Sequence, residues 1–238
     1  MLAPRYPTPR HDTIVEPFAG GAGYSLHYPE RKVHLYDLNE KVCGVWDYVI
    51  RSTPHEILTL PLLEPTQTIH DIPDSVPQEA KWMIGWWVAY ASPSPRLSVS
   101  PHSVKNMLIG KASAWTPRRR EMIADTSARI KHWRITQGSY ETIPQQHATW
   151  FIDPPYQCKA GRAYPHNSVD FPVLAEWCKS RDGQVMVCEN SDSAPWLPFE
   201  PFYRSVGASI GVDGRRKSTK EVWWTNTDDH TTFFPLHN

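Results

Sequence analysis

The sequence predicts an α/β fold built around a mostly parallel sheet with an antiparallel edge. Short apolar runs alternate with segments of helical periodicity, and most runs lack the polar alternation of a half-exposed strand, so both faces of each strand should be buried. Two late runs flank the turn Asp213-Gly214 and predict the antiparallel edge. With 40% apolar and 21% charged residues among 238, the composition excludes a fully disordered chain.

The first half of the chain is predicted to hold two strands, two helices and long loops. Buried strands are expected at residues 13–15 and 33–36. Apolar residues at helical spacing predict a helix over 38–51 and a second, largely buried helix over 79–90. The prolines of 52–80 and the Ser/Pro content of 91–116 predict loops.

The second half opens with a clearly marked helix. Thr116-Pro117 is an N-cap followed by proline at the first helical position. The buried stripe of this helix is predicted to be Met122, Ile123, Thr126, Ile130 and Trp133. Further elements are predicted as strands over 148–152, 184–188, 202–210 and 220–225, and a helix over 170–179.

Cysteine spacing and apolar runs bear on the compartment. The four cysteines include no CxxC pair, which excludes zinc-ribbon and thioredoxin-like sites. The N-terminal residues contain no apolar stretch typical of a signal peptide, and the longest apolar run, 82–91, is too short to cross a bilayer. The sequence therefore predicts a soluble, cytoplasmic protein without a membrane partner.

Positive charge is concentrated in one segment of a chain whose net charge is zero. Residues 96–134 contain nine Lys/Arg and two Asp/Glu. The segment is predicted to contact a polyanion through Lys105, Lys111 and Arg118–Arg120, although a solvated helix face is the alternative. The three arginines follow a helix N-terminus, where the helix dipole disfavours cations, which makes a purely structural role less favourable.

A glycine turn between strand and helix predicts a nucleoside ligand. Gly20-Gly21-Ala22-Gly23 lets the backbone turn sharply and approach a ligand closely. Asp37 ends the next strand, where a carboxylate can accept hydrogen bonds from both hydroxyls of a ribose. Neither a GxGxxG fingerprint nor a P-loop is present, so the ligand class stays open, as does a tight turn with an incidental Asp.

The segment Asp153-Pro154-Pro155-Tyr156 follows a predicted buried strand and offers acceptors without donors. Two prolines remove two backbone N–H groups, which leaves the Asp153 carboxylate and the Pro154 carbonyl as acceptors. Such a corner can accept hydrogen bonds from both N–H groups of an exocyclic amine on a nucleobase while the ring of that base stacks on Tyr156. A proline pair in an ordinary loop is the alternative.

Glu16-Pro17-Phe18-Ala19-Gly20 together with Asp153-Pro154-Pro155-Tyr156 resembles a Dam-type, alpha-group adenine-specific DNA methyltransferase that uses S-adenosylmethionine. The family often has Phe-x-Gly-x-Gly, whereas here Ala22 occupies the second glycine position. The resemblance implies a Rossmann-like class I methyltransferase fold with a seven-stranded sheet. It implies a catalytic domain of residues 1–55 and 135–238, and an inserted target-recognition segment, 56–134.

The resemblance also implies which residues are catalytic and which bind the cofactor, whereas the DNA contacts are predicted from the distribution of positive charge. The catalytic set is Asp153, Pro154, Pro155 and Tyr156. The implied cofactor contacts are Tyr6, Glu16, Pro17, Phe18, Gly20, Gly21, Gly23, Asp37, Ser139, Tyr140 and Asp153. The predicted DNA contacts are Lys105, Lys111, Arg118, Arg119 and Arg120, with Arg215, Arg216 and Lys217 in the turn between the last two strands.

The expected reaction is methyl transfer to N6 of an adenine flipped out of DNA. Two alternatives stay open: an RNA methyltransferase acting on an exocyclic amine of guanine or adenine, and a non-enzymatic nucleic-acid-binding module with a relic methyltransferase fold. No metal is expected, because the eleven histidines include no HExxH. A cognate restriction enzyme is a candidate partner, in a bacterial or virus-infected cell.

Overall fold

The computed structural model describes residues 6–89, 92–111, 113–157, 161–190, 196, 203–210 and 216–227, with backbone alone for 203–210 and 216–221. The chain divides into two compact units, and each is described by itself. The sheet unit comprises Met1–Leu38 and Gly138–Asn238, and the helical unit comprises Asn39–Gln137.

Six strands of the described residues form the sheet of the sheet unit, and in chain numbering their order is β2-β1-β4-β5-β7-β6. Their bounds are β1 Thr13–Glu16, β2 Lys32–Asp37, β4 Ala148–Ile152, β5 Gly183–Asn190, β6 Tyr203–Ile210 and β7 Arg216–Thr225. Strands β2, β1, β4 and β5 are parallel, and β7 is antiparallel to both β5 and β6. The predicted α/β class with a mostly parallel sheet is confirmed, in a form compatible with a Rossmann-like fold.

The predicted antiparallel pair of strands lies at one edge of this sheet, but β7, the strand that runs opposite to the parallel strands, is not the outermost one. Strand β7 pairs with β5 on one side and with β6 on the other, so β6 forms the edge. Because β7 lies between β5 and β6, its residues Val222 and Trp224 are part of the core and not of the sheet edge. A sheet of seven strands is not established, because the remaining strand, β3 Arg134–Gln137, belongs to the helical unit.

Alternation along β4 divides the core of the sheet unit between two faces. Trp150 and Ile152 belong to one cluster, which also buries the apolar side of α6, Phe171–Lys179. Phe151 points to the other face, where its ring stacks on that of Tyr24 at 4.5 Å. Helix α6 begins as predicted, with the Asp170 side chain accepting a hydrogen bond from the amide of Val173.

The described residues of the helical unit form five α-helices. Their bounds are α1 Glu40–Arg51, α2 Pro54–Leu58, α3 Gln78–Trp87, α4 Pro101–Leu108 and α5 Pro117–Arg129. Polar N-caps begin four of them: Asn39, Thr53, Ser100 and Thr116 each accept a backbone N–H. Proline follows the cap directly in α2, α4 and α5, as expected for the first helical position.

The two predicted loops of this unit are only partly loops. Residues 52–80 contain α2, and residues 91–116 contain α4. Both helices are too short to show a clear apolar period, and both begin at a Thr-Pro or Ser-Pro pair that resembles loop composition. In α5 the predicted buried stripe is wrong at Met122, which is 42% exposed, whereas Ala124 and Ser127 are buried.

The boundary of the unit also differs from the predicted insertion. Helix α1, which the sequence analysis assigned to the catalytic domain, is grouped with residues 56–134. Helix α1 packs against α3, α5 and β3, so its apolar stripe is buried within the helical unit. Within the described ranges, no helix is long and apolar enough to cross a membrane.

Candidate active site

The predicted site residues of the sheet unit meet where its parallel strands end. Strand β1 pairs with β2 on one side and with β4 on the other, so the chain connections diverge between β1 and β4. In open α/β sheets, ligands bind outside the carboxyl ends of the strands at such a switch point. Glu16 and Asp37 end β1 and β2, and Asp153 directly follows β4.

The glycine turn is fixed to the end of β2 by its backbone. The amide of Ala19 donates to the carbonyl of Tyr36 at 2.8 Å, and the amide of Gly20 donates to Oδ2 of Asp37 at 3.0 Å. Gly20 has φ +42°, a conformation that glycine adopts without strain. A β carbon added at Gly20, Gly21 or Gly23 would meet no atom within 4 Å. The turn therefore has open space above its backbone.

Ala22 occupies the position where the family that the sequence resembles often has glycine. Its φ is +45°, in the left-handed region, and its side chain is fully buried. The amide of Ala22 donates to the carbonyl of Ala19 at 2.6 Å, which closes the turn. A methyl group is thus accommodated inward at a position where glycine would be less strained. The turn continues into a short 3-10 helix, Ser25–His27, and not into a long helix.

Glu16 is a buried acid beneath this turn. The residue is only 2% exposed, and its Oε1 accepts a hydrogen bond from the amide of Ser25 at 2.7 Å. Burial raises the pKa of Glu16 to about 8; hydrogen bonding from Ser25 opposes the rise, and the charge of Asp153 adds to it. Glu16 therefore holds the C-terminal end of the glycine turn through Ser25, and the charge of Asp153 contributes to its raised pKa.

Ser139 and Tyr140, which the resemblance implied as cofactor contacts, follow a residue that is hydrogen-bonded to the end of β2. The amide of Gly138 donates to the carbonyl of Asp37 at 3.0 Å. The ring of Tyr140 lies 5.5 Å from that of Phe18, and burial is the main cause that raises the Tyr140 pKa to about 12. Ser139 caps a short 3-10 helix, Tyr140–Thr142. Phe18, Asp37 and Tyr140 thus border the glycine turn.

The Asp153 corner follows the last residue of β4, where Ile152 is paired with Val187 of β5. The side chain of Asp153 is exposed, Pro154 is buried, and Pro155 and Tyr156 are half-buried. Gly161 packs directly on the backbone of Tyr156, since a β carbon there would lie 1.8 Å from its carbonyl oxygen. The chain after the corner therefore returns to it.

That return brings Tyr164, which sequence reasoning missed, near Asp153. Burial raises the pKa of Tyr164, and the charge of Asp153 contributes to the rise. The Asn167 amide donates to the carbonyls of Arg162 and Tyr164 at 2.8 and 2.9 Å, which holds the segment in place. No sequence spacing signals this proximity, because it depends on the contact of Gly161 with Tyr156.

Glu189, near the end of β5, is a second buried acid that the sequence analysis did not single out. Glu189 is fully buried and accepts hydrogen bonds from the indole of Trp196 and the amide of Asn190, both at 2.7 Å. The strand end beyond the corner is thereby fixed to Trp196, whose ring contacts Phe171 at 5.0 Å. An acid at the end of an otherwise apolar run was the available signal.

Tyr6 and Pro17 are buried rather than exposed toward a ligand. The ring of Tyr6 contacts those of Phe151, Trp223 and Tyr24 at 5.0, 6.2 and 6.4 Å. His147 precedes β4 and lies 3.1 Å from Asp182, so it belongs to the opposite end of the strand from Asp153. Among the described residues, no group of three or more His, Cys, Asp or Glu side chains could hold a metal ion.

The predicted DNA-contacting residues divide into exposed and packed side chains. Lys105, Lys111 and Arg118 are exposed. Arg119 stacks over the ring of Trp87 at 3.6 Å, and Arg120 donates a hydrogen bond to the carbonyl of Leu60. Arg215 lies outside the described residues, as do the side chains of Arg216 and Lys217. Two of the five predicted basic contacts in the helical unit, Arg119 and Arg120, therefore also have roles in its packing.

No protein-family model matches the chain, and no curated protein matches its sequence.

Proposed function

We propose that the protein transfers a methyl group from S-adenosylmethionine to the N6 amino group of adenine in DNA. The observation that carries the proposal is the position of the Asp153-Pro154-Pro155-Tyr156 corner and the glycine turn at the ends of two paired parallel strands. An acceptor-rich corner beside an open glycine turn suits the alkylation of an amine by a bound nucleoside sulfonium.

The residues around the glycine turn fit this cofactor. A carboxylate offers about four acceptor positions, so the hydrogen bond from Gly20 to Asp37 is compatible with acceptance from ribose hydroxyls. Phe18 and Tyr140 provide apolar faces for an adenine ring next to Asp37. The open space above Gly20, Gly21 and Gly23 leaves room for the remainder of the molecule.

S-adenosylmethionine would supply an electrophilic methyl group on a good leaving group, so the protein does not need a strong base. A nitrogen–carbon bond would form as the carbon–sulfur bond breaks, the thioether S-adenosylhomocysteine would leave, and the proton lost from the amine would pass to solvent. The task of the protein is to align the amine with the methyl group. Asp153 and the carbonyl of Pro154 accept hydrogen bonds from the two N–H groups of the amine, and Asp153 disperses the positive charge that develops on nitrogen.

Capture of the target base falls to Tyr156 and Tyr164. A base inside a duplex must leave the stack, at a cost of a few kcal/mol. Stacking on an aromatic side chain returns about 1–3 kcal/mol. Tyr156 is half-buried and Tyr164 is exposed, so both have ring surface available to a base that reaches Asp153.

The test is methyl transfer from labelled S-adenosylmethionine to duplex DNA, single-stranded DNA and RNA. We expect incorporation into DNA at N6 of adenine, read by nucleoside analysis. Asp153→Asn should reduce kcat by about 10²-fold or more, because the amide brings a donor to the corner. Cofactor affinity, measured by calorimetry, should stay near the wild-type value.

The matched control is Glu176→Gln, which neutralises an exposed acid on α6 that is paired with Lys179. This variant should retain activity. Turnover by Asp153→Asn at the wild-type rate would contradict the assigned chemistry. Methylation of RNA instead of DNA would favour the RNA alternative, and absence of cofactor binding would favour the relic module.

A further inference from the structure

The C-terminal end of α4 exposes large apolar side chains while the helix buries polar ones. Leu108 is 75% exposed and Ile109 is 58% exposed, whereas Ser103 and Asn106 of the same helix are buried. Ordinary amphipathic packing predicts the opposite arrangement. Adjacent residues of this size in solvent are unfavourable for an isolated chain, so their exposure requires an explanation.

The tip formed by Leu108, Ile109 and Gly110 has a defined backbone. The amide of Gly110 donates to the carbonyl of Met107 at 3.0 Å, and the amide of Lys111 donates to the carbonyl of Asn106 at 2.9 Å. Gly110 has φ +64°. These features together form a Schellman motif, which ends a helix with fixed geometry. The apolar pair is therefore presented by an ordered turn, and little conformational entropy remains to be lost on binding.

The charge around this tip favours one class of partner. Lys105 and Lys111 flank it, and both are exposed. The surrounding segment, residues 96–120, contains six Lys/Arg and no Asp or Glu. A second copy of such a surface would repel the first, whereas a nucleic acid supplies phosphates for the lysines and apolar base faces for Leu108 and Ile109.

We infer that Leu108 and Ile109 form an apolar wedge that inserts between base pairs of duplex DNA, with Lys105 and Lys111 on the adjacent phosphates. Apolar side chains inserted in this way unstack a base step and bend the duplex. The inference rests on the proposed function for its DNA substrate, but it concerns residues outside the sheet unit. It assigns a role to side chains that the charge pattern alone does not explain.

Two kinds of variant separate the wedge from the phosphate contacts. Duplex binding is measured by fluorescence anisotropy over a range of salt concentrations. The double variant Leu108→Gln/Ile109→Gln should lose about 10-fold or more in affinity with an unchanged salt slope, because inserted side chains release no counterions. Lys105→Gln/Lys111→Gln should instead reduce the slope by about 0.9 for each lost phosphate contact.

Met122→Gln is the matched control, since it replaces an exposed apolar side chain of the same unit. Binding by the apolar double variant that equals that of the control would overturn the wedge. If the wild type sediments as a dimer and the apolar double variant sediments as a monomer, the tip serves self-association instead. If the wild type methylates DNA and the variants are unaffected, the wedge alone fails. A wild type that neither binds nor methylates DNA overturns the proposed function and the wedge together.

Discussion

Glu16 ends β1 and Asp153 directly follows β4, the parallel strand paired with β1, and the negative charge of Asp153 helps to keep a proton on Glu16. Burial is the larger cause, and together the two raise the pKa of Glu16 to about 8. Glu16 also holds the Ser25 amide beneath the glycine turn. The two halves of the candidate site are thus electrostatically linked before any ligand binds.

Replacing Glu16 with Gln should remove a pH dependence of stability. The folded protein retains the proton of Glu16 up to about pH 8, whereas the unfolded chain releases it near pH 4.5. The folded state therefore binds more protons in this window, and the free energy of unfolding of the wild type should fall as pH rises through it.

In the Glu16→Gln variant this contribution disappears, while the Gln carbonyl can still accept the Ser25 amide. Thermal unfolding at pH 5 and at pH 8 measures the difference. The variant should gain stability relative to the wild type, on the order of a few kcal/mol, between the two pH values. Parallel stability curves for the two proteins would show that Glu16 does not carry a raised pKa.

Asp37→Ala should weaken cofactor binding more than it slows methyl transfer. The substitution removes the acceptor of the Gly20 amide and the proposed acceptor of the ribose hydroxyls. We expect a loss of about 10-fold or more in S-adenosylmethionine affinity by calorimetry. At saturating cofactor, kcat should change much less, because Asp37 does not contact the reacting atoms. Asp37→Asn keeps an acceptor and should lie between the two.

The parts of this site that the sequence predicted are those with a local signature. Strands β1 and β4 are continuous apolar runs, and the glycine turn and the proline corner directly follow them, so their shared edge follows from parallel pairing. Tyr164 could not be predicted in this way, since it comes near Asp153 where the chain packs back on the backbone of Tyr156 at Gly161, and no local pattern signals that contact. The order of β6 and β7 could not be predicted for a related reason: local patterns do not determine which strand of a hairpin lies inside the sheet.

Tyr164→Ala should weaken substrate capture. The ring is 50% exposed near Asp153, so its loss removes contact area for a flipped base without opening the core. We expect KM for DNA to rise by about 5-fold or more, with a smaller change in kcat. Tyr164→Phe keeps the ring and should restore most of the affinity. His166→Ala, in the same exposed segment, is the control, and an equal effect of this variant would reduce Tyr164 to a loop-stabilising role.

Substitution of Arg120 should lower the free energy of unfolding much more than substitution of Arg118, although the two residues are close in sequence. Arg120 donates to the carbonyl of Leu60, so Arg120→Ala leaves that carbonyl without this donor and should cost about 1–3 kcal/mol in the free energy of unfolding. Arg118 is exposed, and Arg118→Ala should change stability by less than about 0.5 kcal/mol.

The same pair separates packing from DNA contact. If Arg118 binds a phosphate, Arg118→Ala should lower the salt slope of DNA binding by about 1 while weakening binding similarly for all sequences. Denaturant unfolding and salt-dependent binding of both variants provide the comparison. A salt slope that falls for Arg120→Ala and not for Arg118→Ala would reverse the assignment. It would mean that Arg120 leaves Leu60 to bind DNA, so that binding is coupled to a rearrangement between α2 and α5.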